Sequence, residues 1–252
     1  MKEHPVTETY YAGVYWRGRP ESAEACAQRA ERYFRLLAPL DSTWSQWFEK
    51  ADTLEEALKL RINPMAATFE TLFSLKEHRL FEGYMLSLWN GEHRGASSQF
   101  ADATATNFSC GYASRFSPNV CVLEPPVPTK GPVGERIVTA PVMTQVLRSM
   151  ALAWEPDRGV VMSDVYRDKF MPEKLPPVLV GWVTYLSCRR GTVPPLPAPV
   201  RIEPVEDLGT LITLTPERFT VDNPAHVELA SQVRQILDQA GLLGPEQFTS
   251  PD

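Results

Sequence analysis

Ala103-Thr104-Ala105-Thr106-Asn107-Phe108-Ser109-Cys110-Gly111-Tyr112 alternates in character, with Thr104, Thr106, Phe108 and Cys110 on one side and Ala105, Asn107, Ser109 and Gly111 on the other. A period of two is the repeat of a strand, because successive side chains leave a pleated backbone on opposite faces. Three such runs come in succession, Tyr84–Trp89, Ala103–Tyr112 and Val120–Leu123, and upstream Thr9–Trp16 is rich in strand-forming aromatics. Gly159–Ser163, Val178–Ser187 and Gly209–Thr215 read as further strands. Strands and helices mix without a regular βαβ beat. The expectation is an α+β fold: a mixed, largely antiparallel sheet with helices packed on it.

The helices are marked by caps and by apolar stripes of period 3.6. Pro20-Glu21-Ser22 opens one whose stripe is Ala23, Cys26, Ala27, Ala30, Phe34 and Leu37, and Pro39 ends it. An aromatic turn with Trp44, Trp47 and Phe48 follows. Thr53-Leu54-Glu55-Glu56 has the form of a capping box, which predicts a helix to about Arg61. Pro64 suits the start of another, with Phe69, Leu72 and Phe73 inward. Thr139 and Pro141 open a helix striped by Val142, Val146, Leu147 and Met150. The last helix has Asn223 as N-cap, Pro224 at its first position and Gly241 just past its end, with Val227, Ala230, Val233, Ile236, Leu237 and Ala240 inward. Pro172–Pro177 and Pro194–Pro199 read as extended connectors. Glu124-Pro125-Pro126-Val127-Pro128 begins a proline-rich crossing that places a lobe boundary near 124–136, within a single domain spanning 1–252 whose two lobes share one core.

With 43% hydrophobic and 22% charged residues, the composition is that of an ordinary soluble domain. The charge is unevenly spread. From Glu203 onward nine carboxylates (Glu203, Glu206, Asp207, Glu217, Asp222, Glu228, Asp238, Glu246 and Asp252) face only Arg218 and Arg234, while the whole chain carries −6, so the preceding residues are close to neutral. Such an acidic end keeps a protein in solution, and it can also attract a basic surface and repel nucleic acid. The first residues hold no apolar run of a signal peptide, and no stretch of 18 apolar residues exists. Cys26, Cys110, Cys121 and Cys188 form no CxxC pair and no zinc-ligand spacing. A cytoplasmic protein with free thiols is expected; only in an exported chain would Cys110–Cys121 be a candidate bridge.

A search for chemistry returns little. The chain lacks G-x-S-x-G, H-E-x-x-H, a phosphate-binding G-x-x-x-x-G-K-[ST] loop and G-x-G-x-x-G. No metal or cofactor is expected. Catalytic groups meet in space and not in sequence, so a dispersed triad, for example His93 with Ser97 or Cys110, is weighed as well, with only composition behind it. Two carboxylate groupings could do acid/base work as a hydrolase of small molecules or glycans: Glu155 with Asp157, and Asp164 with Asp168. The plainer reading of Trp154-Glu155-Pro156-Asp157 is a helix-end turn with its Trp in the core. Pro156-Asp157 also begins the pattern of a metal-dependent nuclease, but no E-x-K or D-x-K follows. The six tryptophans are dispersed, as core-packing tryptophans are.

Three stretches together resemble the immunity protein 52 family of bacterial polymorphic-toxin systems. They are Tyr10-Tyr11-Ala12-Gly13-Val14-Tyr15-Trp16 with the helix after it, Ala153-Trp154-Glu155-Pro156-Asp157, and Val180-Gly181-Trp182-Val183-Thr184-Tyr185-Leu186 followed by Gly209–Leu214 and Asn223-Pro224-Ala225-His226-Val227. The resemblance covers roughly residues 9–243 and rests on framework residues. It implies a cytoplasmic antitoxin encoded beside a secreted toxin, often one delivered by type VI secretion, that inhibits without an active site of its own. The toxins paired with the family resemble restriction-endonuclease-fold nucleases. The acidic end then acquires a purpose: Glu203, Glu206, Asp207, Glu217, Asp222 and Glu228 are the expected contacts to a basic toxin surface.

Overall fold

A computed structural model describes residues 7–75, 78–80, 82–92, 102–113, 119–170 and 178–244. In chain order the elements are β1 (Tyr10–Trp16), α1 (Ala23–Leu37), β2 (Trp47–Glu49), α2 (Leu54–Ala57), β3 (Arg61–Ile62), α3 (Ala66–Ser74), β4 (Arg79–Leu80), β5 (Gly83–Trp89), β6 (Ala105–Cys110) and β7 (Asn119–Glu124). There follow α4 (Pro132–Ile137), α5 (Ala140–Trp154), β8 (Arg158–Ser163), α6 (Asp164–Phe170), β9 (Val183–Ser187), β10 (Arg201–Val205), β11 (Gly209–Thr213) and α7 (Pro224–Gln239). The fold is α+β. Among the described residues one sheet of eleven strands runs β10-β11-β9-β8-β1-β7-β6-β5-β2-β3, with β4 on β5, and every pairing is antiparallel.

β1 lies at the centre of this sheet. Strands from residues 47–124 extend it on one side and strands from 158–213 on the other, so the proline-rich crossing after Glu124 separates the two sources. The alternation that defines β6 is kept: Thr106, Phe108 and Cys110 are buried while Ala105, Asn107 and Ser109 are half-buried. In β1 the residues Ala12, Val14 and Trp16 are buried, and Trp16 stacks on Trp154 of α5 at 5.3 Å between centroids. Phe108 and Tyr33 also meet Trp154, so α1 and α5 share this face of the sheet. All six tryptophans are buried. Three indoles find acceptors, Trp44 on Thr104 Oγ1 at 2.9 Å, Trp47 on the Trp44 carbonyl at 2.9 Å and Trp182 on the Thr215 carbonyl at 3.1 Å, while the buried N–H groups of Trp16 and Trp154 have none.

Caps decide where the helices begin and end. The Ser22 hydroxyl accepts the Ala25 N–H, and the Asn223 side chain accepts the Ala225 N–H. At the far end of α7, Leu242 N–H reaches the Leu237 carbonyl and Gly241 N–H reaches that of Asp238, with Gly241 at φ +74. This is the six-to-one closure that a glycine makes cheap. On α7, Ala230, Val233 and Leu237 are buried as expected, whereas Ala240 is exposed.

Several expected boundaries shift. The capping-box helix ends at Ala57 instead of Arg61, because β2 recruits the next residues: Phe48 pairs with Arg61 and Trp47 with Ile62. The aromatic turn at Trp47-Phe48 is therefore a strand. Val178–Trp182 does not join the ladder: Gly181 N–H goes to Thr184 Oγ1, and a Cβ at Gly181 would lie 2.4 Å from the Val161 carbonyl oxygen. The strand expected to Thr215 stops at Thr213. β10 has no counterpart among the expected strands. It carries Pro204, which an edge strand tolerates because its outer N–H positions need no partner. The Pro172–Pro177 connector lies outside the described residues.

Candidate functional site

The C-terminal carboxylates divide by location. Glu203 is on β10 and is held by two guanidiniums, Arg148 Nη2 at 3.2 Å and Arg201 Nη2 at 2.9 Å. Arg148 also donates to the Pro204 carbonyl at 2.8 Å, so Glu203 ties the sheet edge to α5. Glu206 and Asp207 are exposed in the turn between β10 and β11, Glu206 in the left-handed region at φ 46. Glu217 is exposed beyond the opposite end of β11, roughly 15 Å away at the rise of an extended strand. Asp222 is exposed just before α7, and Glu228 is exposed on its second turn.

Two of the six converge. Glu217 and Glu228 line a concavity of about 560 Å³ together with Pro199, Asn223, His226 and Gln232. His226 is buried, 8% exposed; its Nδ1 accepts the Thr220 N–H at 3.1 Å and its ring stacks on Phe219 at 5.5 Å. Glu203, Glu206 and Asp207 are not part of this concavity.

The carboxylates weighed as acid/base groups hold backbone and arginines. Asp157 is buried; it accepts the Arg17 N–H at 2.9 Å and Arg189 Nη2 at 2.5 Å. Its own N–H binds the Tyr15 carbonyl, and its carbonyl accepts from Ser187 N–H and Arg190 Nε. Glu155 ends α5 at φ 48, with its carboxylate 3.2 Å from Arg29 Nη1. Burial alone would push the Arg29 guanidinium down, but Glu21 and Glu155 carry it above its ordinary value. Trp154-Glu155-Pro156-Asp157 is thus a joint between α5, β1 and β8. Asp164 accepts Thr9 Oγ1 at 2.6 Å and pairs with Arg167 at 2.9 Å, and Arg167 also holds Asp168. His93 and Ser97 lie outside the described residues, and Cys110 is buried.

A second concavity was not apparent from the sequence. It measures about 710 Å³ and lies on the sheet face opposite α5, lined by Tyr11, Tyr15, Val122, Arg158 and Arg167 among others. Pairing register puts Tyr15 opposite Arg158 and Val120, and Gly13 opposite Val160 and Val122, so these side chains share one face. Arg158 lies over the Tyr15 ring at 5.2 Å and Arg167 over Tyr11 at 5.5 Å. Burial pushes the Tyr11 hydroxyl up to about 12. The alternation of Tyr11, Gly13 and Tyr15 was visible in the sequence; the arginines that meet them come from 140 residues and more downstream.

Among the described residues no three His, Cys, Asp or Glu side chains are placed to hold a metal ion, and no helix is long and apolar enough to cross a membrane. All four cysteines are free, Cys26, Cys110 and Cys121 buried and Cys188 exposed.

The sequence profile of the family described as Immunity protein 52 matches residues 8–246. No curated protein matches the chain. Among solved structures, the Pseudomonas aeruginosa T6SS protein PA0821 superposes with a TM-score of 0.53 at 13% identity, over 100% of this chain and 81% of that one. At that identity the likeness is one of fold.

Proposed function

Because this chain belongs to the immunity protein 52 family, we propose that it binds and neutralises a cognate secreted toxin, a nuclease of the restriction-endonuclease fold, in the cytoplasm of the cell that makes it. The observation that carries this reading is the family match over residues 8–246, nearly the whole chain. The T6SS protein of like fold is in keeping with a toxin delivered by type VI secretion. Inhibition is by stoichiometric occlusion, with no catalysis by this chain. In support, Glu155, Asp157, Asp164 and Asp168 are each engaged by an arginine, a poor starting point for a carboxylate that must exchange protons with substrate.

The contact surface proposed is acidic. A nuclease presents Lys and Arg to phosphates, and exposed Glu206, Asp207, Glu217, Asp222 and Glu228 would meet those groups, steering association and rejecting other partners. Glu203, already neutralised by Arg148 and Arg201, would add less.

The experiment is co-expression of the toxin gene adjacent to this one, with and without this chain. Growth rescue is expected, together with intact nucleic acid in rescued cells and degraded nucleic acid in cells making toxin alone. Killing without rescue would overturn the immunity reading. Killing that leaves nucleic acid intact would overturn only the nuclease assignment.

A further inference from the structure

The sheet face turned away from α5 is open over β5, β6, β7 and β1. Pairing register sets Met85, Ser109, Val120 and Tyr15 side by side across it, and in the next row Ser87, Asn107, Val122 and Gly13. Met85 is 41% exposed and the others, Gly13 excepted, are half-buried, while Leu86, Phe108, Cys121 and Val14 on the reverse of the same strands are at most 1% exposed. Helices wall the opening on both sides. Trp89, on the same face of β5, clusters with Phe48 and with Ala57 of α2. Beyond β1, Arg167 of α6 lies over Tyr11, and Arg158 over Tyr15. The trough between these walls deepens at β1 into the concavity of about 710 Å³. There the Tyr15 ring folds back over Gly13, where a Cβ would stand 2.8 Å from the Tyr15 hydroxyl.

The floor of the trough carries no charge. None of the positions in those two rows is Asp, Glu, Lys or Arg, in a chain that is 22% charged. Lys50, whose amine reaches Asn107 Oδ1 at 3.4 Å, stands at the margin with Glu124 and Arg158. A sheet face left to water is ordinarily polar. An uncharged, partly apolar centre inside a charged margin is the anatomy of a protein interface. Tyr and Arg, the types that most often anchor interfaces, sit together at its deep end. The four strands have neighbours on both sides, so their N–H and C=O groups are taken and the face offers side chains only. An added strand needs a free edge, whereas a helix satisfies its own backbone and can lie on such a face. From β5 to β8 the trough spans five strands, about 19 Å at about 4.8 Å per spacing, which admits a helix of about 10–12 Å. Along β6 the small Asn107 and Ser109 let its axis come close. A second copy of this chain fits less well, because the α2 and α6 walls would hold two such faces apart.

We infer that this trough seats one amphipathic helix of the toxin, laid along β6 between the two walls, with an apolar side chain in the concavity beside Tyr15. Two rows of about 7 Å each across about 19 Å give a floor of roughly 270 Å². That is a third of the about 800 Å² that each partner gives to a standard interface, so the margin must contribute as well. The α6 wall leads there: Tyr166 meets Phe219 at 5.0 Å, and Phe219 meets His226 of α7 at 5.5 Å, next to exposed Asp222 and Glu228. The inference rests on the toxin-binding reading for the identity of the partner, and on the trough alone for the shape and chemistry of what it presents.

Ser87→Arg and Val120→Arg each put a long cation on the floor, one on either side of β6, and Ile202→Arg puts one at an exposed apolar site on the edge strand β10. Binding to the toxin used for co-expression is measured for each. Either floor variant should weaken binding by about 10- to 100-fold, as damage to an interface centre does, and Ile202→Arg by less than about 3-fold. Ser87→Gln, smaller and uncharged, should fall between wild type and Ser87→Arg, and thermal melts that match wild type show that folding is not the cause. In a second arm, p-benzoylphenylalanine at Met85 or at Val120 is photo-cross-linked to the bound toxin. Cross-linked toxin residues spaced three or four apart support the helix; a spacing of two, or no cross-link, overturns it. Floor variants that bind as wild type does overturn the trough while the immunity reading stands. No wild-type binding overturns that reading and the toxin assignment of the trough with it. A dimer of the free chain in light scattering that Ser87→Arg dissolves gives the trough to a second copy and overturns the toxin helix.

Discussion

Replacing Asp157 with alanine should cost stability, and the structure sets how much. Two hydrogen bonds of the carboxylate are lost, one from the Arg17 N–H at 2.9 Å and one from Arg189 Nη2 at 2.5 Å. The first is the larger loss, because it strands a part-buried amide at the end of β1; a bond to a charged group is worth about 1.5–3 kcal/mol. The second comes from a guanidinium that is 61% exposed and rehydrates easily, so about 1 kcal/mol or less is at stake. The total is about 3 kcal/mol, and at about 2–4 °C per kcal/mol for a domain of this size the melting temperature should fall by roughly 6–12 °C. Asp157→Asn keeps one acceptor oxygen and should lose about half as much, in line with a net neutral bond of about 1 kcal/mol. Glu155→Gln should change little, since Arg29 keeps Glu21 at 2.6 Å. Calorimetric scans at pH 7 of the three variants give the ranking. An Asp157→Ala protein that melts within about 2 °C of wild type would refute the clamp reasoning. Protection against the toxin should persist in every variant that stays folded at the assay temperature.

Thiol titration of native protein should count one reactive cysteine, Cys188, and four after denaturation without reductant; two in the denatured protein would mean a disulfide. Stability should decline at alkaline pH. Burial holds the Cys121 thiol at about 12 against an ordinary 9.0 and the Tyr11 hydroxyl at about 12 against 10.0. The unfolded chain therefore releases these protons first, and the stabilisation, complete below pH 9, is lost between 9 and about 12. Urea midpoints that stay flat from pH 8 to 11 would contradict this. Trp154→Ala should cost about 3–5 kcal/mol by emptying a core site, since Trp154 packs on Trp16 and Phe108; denaturant unfolding measures it.

Most of the framework could be read from local pattern. α1 and α7 each carry a period, a cap and a stop, β6 carries an unbroken period of two, and each falls within a residue or two of its expected place. What could not be read is set by residues distant in the chain. β2 is a strand because it pairs with β5 and β3, and β3 because it pairs with β2, not because of their own composition. Pro204 conceals β10, since only the edge position makes a proline acceptable there. The same limit applies to the site. Nine acids in a row of fifty residues look like one feature, yet β11 holds Glu206 and Asp207 at one end and Glu217 at the other. That Glu217, His226 and Glu228 line one concavity depends on how α7 folds back, and no spacing in the sequence encodes it.

The central claim is that this chain acts by binding and not by turnover. Titrating it into a fixed amount of its cognate toxin, with residual toxin activity as the readout, separates the two. Binding predicts activity that falls linearly and ends at a fixed molar ratio, with the complex recovered intact by size-exclusion chromatography. Toxin that is silenced by a small fraction of an equivalent, or that stays active in the presence of a tenfold excess, would contradict it.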